Sequence, residues 1–426
     1  MDVKEHDEGD APLVIIAVLM FAVFTVSIGY GITLPLLPSS VESLLNLVPQ
    51  AVEVSRNTGY LAAIYLLALF VFAPIWGRLS DRIGRRPVLL IGMIGFSASI
   101  SVLFLFEHLW ALYAERLLSG VFSAAVTPIA LAAIADVTKT DEKRARQLTL
   151  ISLSGIAGFL LGPMLGVFVS GASEEYLAGV GSQNQLLVPL TSIAILALLS
   201  TVTIWTVIPA LSKSEKGDRS IRGNVGHPGS LIWTMLGLTF TVSFAIGLFE
   251  VDLALRGNRE AGLNQYQIAV MFTECSLVML AAQGAVFSPW IKPQITRWLI
   301  APALLVLGAG LYLASSASTF LEMLVAVGAV AGSAGIISPI LTYWISLKAG
   351  AAQGAEIGKQ TAATSLGGAA GSFAGGTLIG IEPVPGLSFV VMAAAIGVGA
   401  VIAAGLPRRL EIGHAEGLRA KVGRTQ

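Results

Sequence analysis

Glu274 stands in the stretch IAVMFTECSLVMLAAQ (268–283), an apolar run with no basic residue near it in sequence. A carboxyl in that setting can bind and release a proton, or it can be a hydrogen-bonded part of helix packing or of an outer vestibule. The residue type alone leaves these readings open. Glu115 and Arg116 lie in a second apolar run, in LYAERLLSG (112–120). A charge there costs at least about 2.5–3.5 kcal/mol unless it is paired or hydrated. Neighbouring side chains on a helix point about 100° apart, so Arg116 is expected to find its partner on another helix. Its chemistry is either that of a charge tuning a nearby proton carrier or that of a side chain snorkelling to outer water. Glu250 and Asp252 close one apolar run and Glu322 opens another, and all three read as groups facing outer water.

The densest charge falls in GRLSDRIGRRP (77–87), which holds Arg78, Asp81, Arg82, Arg85 and Arg86 between two apolar runs. A plain basic anchor would explain the arginines but not Gly77, Asp81 and Gly84. Two glycines seven apart describe a shaped turn with close helix approach. Asp81 can meet the positive N-terminus of another helix, and Asp136 can pair with Arg85.

Composition says what must position these groups. Of 426 residues 55% are hydrophobic and 12% charged, about half the charged share of an average soluble domain. Too little polar surface remains to cover a soluble fold, so the class is an all-α membrane protein, each helix satisfying its own backbone in lipid. Net charge is zero, which gives no reason to expect nucleic acid as a partner. The single cysteine, Cys275, rules out an internal disulfide and a multi-cysteine metal site. The acidic start MDVKEHDEGD is unlike a secretory signal, so the first apolar run is expected to be retained as a span.

Twelve apolar runs, each about one bilayer crossing long, can be read between polar breaks. They are 12–38, 58–77, 87–106, 109–135, 147–170 and 185–210, then 229–251, 267–291, 298–316, 320–347, 361–380 and 387–406. The longest break, LSKSEKGDRSIRGNVGHP (211–228), makes a linker between two six-span bundles, 12–210 and 229–406, with tails at 1–11 and 407–426. That layout suggests an internal duplication. Placing both termini in the cytoplasm puts 22 of the 26 Lys and Arg residues on the inner side. Six tryptophans then fall near inner ends, and Trp110 near an outer one.

With these features assembled, the chain resembles the major facilitator superfamily, and within it the twelve-span drug:proton antiporters. GRLSDRIGRRP matches that family's loop between spans two and three. Leu112, Arg116 and Gly120 match its span-four pattern. GFLLGPMLG (158–166) matches the antiporter pattern of span five through Gly158, Gly162, Pro163 and Gly166, although the closing glycine is Val167 here. YGITLPLLP (30–38) ends span one as in many drug exporters. Two features depart from the pattern. Val26 stands where tetracycline exporters carry an acid, and SPWIKPQITRW (288–298) has lost the glycines and Asp of its counterpart loop.

The resemblance implies two pseudo-symmetric six-helix bundles, a monomer, and a bacterial inner-membrane location. It implies a conformational latch of Gly77, Asp81, Arg82, Gly84, Arg85, Arg86 and Asp136 that meets span eleven near Thr361. Proton coupling would fall to Glu274, Arg116 and Glu115, and a substrate cavity to Tyr30, Thr33, Trp233 and Tyr343. A small-molecule substrate and protons are the expected partners within the lipid bilayer. The four histidines lie in tails, loops or span edges, so no histidine relay is expected. GAEIGKQ (354–360) is one residue short of a phosphate loop and ends in Gln, so neither ATP nor another cofactor is expected. No metal site and no grouped catalytic residues stand out. The expectation is a proton-driven exporter of small amphipathic compounds and not an enzyme. A proton symporter importing a metabolite, or a non-transporting sensor of the same fold, are the alternatives.

Overall fold

The computed structural model describes residues 13–46, 52–106, 108–138, 141–176, 187–209, 230–259, 263–286, 295–349, 353–378 and 387–406. The two tails, the linker 211–228 and most of 288–298 lie outside these residues. The helices are α1 (Leu13–Leu45), α2 (Val52–Ile83), α3 (Arg85–Leu105), α4 (Leu109–Ser123), α5 (Thr127–Val137), α6 (Asp141–Tyr176) and α7 (Leu187–Val207). They continue with α8 (Ser230–Arg259), α9 (Gln265–Val286), a 3-10 turn (Thr296–Leu299), α10 (Ile300–Ser316), α11 (Phe320–Ala349), α12 (Gln353–Leu378) and α13 (Leu387–Ala404). Among the described residues ten stretches are long and apolar enough to cross a membrane. The small-residue helix α12 and the 18-residue α13 fill the other two places of the twelve-run pattern.

The chain divides near residue 219 into two compact units, with 268–273 grouped with the first. Inside the first, α1 packs along α6, and α3 packs against α4 and α7. Inside the second, α8 packs along α12, and α10 packs against α11 and α13. First run meets fifth, and third meets fourth and sixth, in both halves.

Small residues make the first-to-fifth crossings possible. A Cβ on Gly158 would lie 2.5 Å from the Phe24 carbonyl oxygen, and one on Gly162 2.8 Å from the Gly31 backbone. In the second unit a Cβ on Gly367 would lie 2.5 Å from the Phe240 carbonyl oxygen, and Gly371 and Gly375 continue the seam along Phe244 and Leu248. Glycine is required because backbone meets backbone there.

Several expected boundaries change. The stretch 77–87 is not an extended turn. α2 continues to Ile83, α3 starts at Arg85, and the reversal rests on Gly84 alone, at φ 98°. That backbone region favours glycine. Gly77 is inside α2, and a Cβ there would meet nothing within 4 Å. The expected single span 109–135 is two helices. Pro128 opens α5 and has no N–H to continue the ladder, so residues 124–126 form a turn. The Ala125 N–H turns to the Phe122 carbonyl, which releases the Val121 carbonyl, and Trp76 Nε1 of α2 donates to that oxygen at 2.7 Å. Phe122 presses its ring onto Gly95 of α3. Finally, α12 begins at Gln353, earlier than the expected Thr361, so 354–360 is helix and not a phosphate-cradling loop.

Two substitutions separate these roles. Gly162→Ala is expected to lower thermal stability in detergent by about 1–3 kcal/mol, because the methyl overpacks α1. Gly77→Ala is expected to leave stability unchanged or raise it by about 0.5–1 kcal/mol through helix propensity. Equal melting temperatures for the two variants would contradict this assignment.

Candidate functional site

Three charged clusters stand out, each within one unit. The first is where α2, α3 and α5 end together. Arg85 Nε donates to Asp136 at 2.9 Å, and its Nη1 donates to Asp81 at 2.7 Å and to Ser80. One guanidinium thus ties three helix ends. Asp81 and Asp136 are both exposed, which keeps the pairs accessible to water. Arg86 turns the other way. It donates to the Trp205 carbonyl in the last turn of α7 and stands 5.0 Å from the Trp205 ring centroid. A cation there complements the helix C-terminus and the ring face. Arg78 and Arg82 are exposed, and among the described residues no ion pair involves them.

The second cluster corrects an expectation. Arg116 pairs with its own neighbour Glu115 and not with another helix: Nε to Oε2 and Nη2 to Oε1, both at 2.6 Å. Glu115 is 0% and Arg116 3% exposed. The long arginine stem swings back far enough to bring both forks together. With little water to screen them, attraction outweighs the 100° between their Cα–Cβ directions. Above the guanidinium lies Tyr65 of α2, 5.7 Å from Cζ to ring centroid. Tyr65 stacks on Tyr30 of α1 at 5.0 Å, and Tyr30 stacks on Phe159 of α6 at 5.7 Å. Tyr30, Thr33, Leu61, Tyr65 and Arg116 share a crevice too narrow to hold a water molecule. Thr33 donates to the Gly29 carbonyl at 2.7 Å, as a helix-satisfied hydroxyl does. Nearby, α1 and α6 frame an open apolar groove of about 390 Å³ lined by Met20, Phe21, Phe24, Leu153, Ser154 and Ala157.

The third cluster is in the second unit. Glu274 of α9 is half-buried, and its Oε2 is buried with no hydrogen-bond partner among the described residues. Its Oε1 lies 3.3 Å from where a Cβ on Gly328 of α11 would sit. Gly332 and Gly335 carry the same seam along Val278 and Met279. Asp252 overturns a second expectation: it is 0% exposed and does not face outer water, because α8 runs on to Arg259 and leaves it two turns inside. Glu322 does face water, and its carboxylate accepts from the Ser318 and Thr319 N–H groups at the start of α11. Glu356 and Lys359 pair at 2.7 Å in the first turns of α12, where Gln360 donates to Thr342 of α11.

The remaining expected residues are not brought together in one wall. Trp233 is in the first turn of α8 and 60% exposed, as an interfacial anchor would be. Tyr343 is half-buried against Trp344, two turns from the end of α11. Gly158, Gly162 and Gly166 line the α1 crossing, with Pro163 inside α6. Sequence reading missed Tyr65 and Phe159, and it placed Trp76 and Trp205 at inner span ends without the carbonyl and the guanidinium they meet. An aromatic in an apolar run carries no mark of which neighbour it meets.

Six-run units repeated twice, with charges held at helix crossings, define an integral membrane protein of the transporter type. The chain belongs to the Major Facilitator Superfamily, whose profile matches residues 19–355. It is therefore a transporter and not an enzyme. It is 25% identical to Multidrug resistance protein 2 of Bacillus subtilis (strain 168) over 369 residues, 86% of this chain and 89% of that protein. It is 29% identical to the class D Tetracycline resistance protein of Salmonella ordonez over 362 residues, 81% of this chain and 84% of that one. Among solved structures, the human organic anion transporter MFSD10 shares the fold. The TM-score is 0.69 at 20% identity, covering 92% of this chain and all of that one.

Breaking the buried pair should be costly on one side only. Arg116→Leu, which strands Glu115, is expected to lower stability in detergent by about 3–5 kcal/mol, and the double variant Glu115→Leu/Arg116→Leu is expected to regain most of it. A double variant no more stable than Arg116→Leu in thermal unfolding would argue against direct pairing.

Proposed function

We propose that this protein is a proton-coupled antiporter that exports small amphipathic compounds by alternating access. The observation that carries the coupling is Glu274: a carboxylate in an apolar span, with Oε2 buried and unpartnered among the described residues, against a glycine seam of α11. Such a group exchanges a proton when its surroundings change between aqueous and closed. The multidrug and tetracycline resistance relatives support export as the direction. The apolar groove between α1 and α6, with its single hydroxyl at Ser154, suits the hydrophobic part of an amphipathic substrate.

In this reading the protein acts as a monomer in a bacterial inner membrane, with both termini in the cytoplasm and no ATP, metal or other cofactor. The proton gradient is the energy source. The cluster of Asp81, Arg85 and Asp136 then lies at the cytoplasmic face and serves as a latch, with Gly84 setting the reversal and Arg86 bracing α7. Glu115 and Arg116 form the charged element of the first half, and Glu274 carries the proton in the second.

Efflux of a panel of dyes and antibiotics from cells expressing the protein, with and without a protonophore, tests this. The expected result is efflux that stops when the gradient collapses, and that falls about tenfold or more in Glu274→Gln at equal expression, a loss of at least about 1.4 kcal/mol. Export that survives the protonophore would sink proton coupling. Unchanged proton-driven efflux in Glu274→Gln would make that residue structural.

A further inference from the structure

Bracing α7 takes up only part of Arg86. From the first turn of α3 its Nη2 donates to the Trp205 carbonyl in the last turn of α7, and its Cζ stands 5.0 Å from the Trp205 ring centroid. A guanidinium has five N–H donors. Among the described residues no carboxylate pairs with Arg86, and the Trp205 carbonyl is the one acceptor its guanidinium meets. Ring and carbonyl fix the group in place, while its other donors have no acceptor there.

The two helices that meet at Arg86 are both long and apolar enough to cross a membrane, and this contact lies at their ends. Away from that end, α3 exposes Ile91 and Ile94, and α7 exposes Val202 and Leu198 at helical spacing from the exposed Trp205. Neither helix carries an Asp or a Glu. Asp81 and Asp136 are held by Arg85, and Arg86 turns the other way. α3 also begins at Gly84 without a side-chain cap, so its positive end adds to the charge at this place. A guanidinium at a span end, above exposed apolar side chains and beside an interfacial tryptophan, complements a phosphate that carries acyl chains.

We propose that Arg86 and Trp205 form a headgroup site for an anionic phospholipid at the α3–α7 edge of the first unit. The planar guanidinium donates to the phosphate, the indole keeps that guanidinium aimed at the headgroup layer, and the chains lie along the exposed residues of α3 and α7. A zwitterionic headgroup brings a cation that finds no carboxylate on either helix, so the site favours net negative charge. Arg86 is tied to α7 and not to Asp81 or Asp136, so the lipid can stay bound whichever partners Arg85 holds. Arg78 and Arg82 of α2 are exposed as well, and a diffuse basic surface would treat all three arginines alike. The inference rests on the membrane-spanning fold, and its test needs neither proton gradient nor cargo, so it stands or falls apart from the proposed function.

Native mass spectrometry of the purified full-length protein in detergent, titrated with phosphatidylglycerol or with phosphatidylcholine of the same chains, reads the site directly. The first phosphatidylglycerol is expected to bind about tenfold more tightly than the first phosphatidylcholine. Arg86→Gln is expected to cut that preference about fivefold, the share of one arginine at a charged surface, and Trp205→Leu about threefold. Arg78→Gln is expected to change it by less than about twofold. Free glycerol phosphate is expected not to displace the lipid, because it has no chains to lie along α3 and α7. Should Arg86→Gln not fold, Trp205→Leu, at an exposed position, carries the same comparison with Arg78→Gln. Four results would overturn the proposal: no preference for the anionic lipid in the wild-type protein, a preference unchanged in both site variants, losses in the site variants no larger than in Arg78→Gln, or displacement by glycerol phosphate. The third would leave only a diffuse basic surface, and the fourth would make a soluble anion the ligand.

Discussion

Backbone contact between α1 and α6 is the constraint on which the first unit's chemistry depends. Gly31 and Gly162 meet with no side chain between them, and Gly158 lets α6 lie against the carbonyl of Phe24. This close approach sets Phe159 beside Tyr30, and Tyr30 in turn holds Tyr65 over Arg116. Separating the helices by the width of one methyl would break the ring column before it disturbed any charge. In lipid no hydrophobic effect drives helices together, so this packing and the absence of Cβ atoms do the work. The second unit repeats the solution with Gly367, Gly371 and Gly375 of α12 packed against α8. A glycine frame that recurs in both halves is explained first by helix crossing. The span-five motif therefore says less about direction of transport than its resemblance to an antiporter pattern suggests.

The same low dielectric decides how charges are housed. Glu115 and Arg116 are adjacent in sequence and would ignore each other on a water-exposed helix. Inside the unit they are the nearest opposite charges, and each saves the other from being buried alone. Glu274 has a different arrangement: its Oε1 fits against Gly328 because that position has no side chain, and a larger residue would press on the carboxylate. One unit thus holds a neutralised pair and the other holds a carboxylate with an unpartnered oxygen.

Much of the architecture is legible in the sequence because a lipid-spanning helix must be apolar over about 20 residues, and loops between helices carry the charge. The pairing of Arg85 with Asp136 could be anticipated because both end helices at one side. What could not be read depended on tertiary contacts. The break in span four needs Pro128 together with Gly95, which makes room for Phe122, and Trp76, which takes up the freed carbonyl. Asp252 looked like a helix-end residue because it interrupts the apolar run, yet α8 continues through buried Leu253, Ala254 and Leu255 to Arg259. Gly77 and Gly84 look equivalent in the string, but only Gly84 has a backbone angle that demands glycine.

The exposure of the Arg85 cluster bears on whether it can serve as a latch. Asp81 and Asp136 are exposed, and ion pairs of that kind contribute about 0–1 kcal/mol each. A buried pair such as Glu115–Arg116 would cost several kcal/mol to separate. A contact that must form and break in every transport cycle cannot be worth so much that one state becomes a trap. Weak pairs gathered on one guanidinium fit the latch reading proposed above, because Arg85 has two acidic partners and the loss of either would leave it the other. The single-residue reversal at Gly84 fixes where that guanidinium stands, so the geometry is rigid while the bonds remain cheap to break. Rigid placement with weak bonding is the combination a latch needs, and the buried, strongly bonded pair on α4 does not have it.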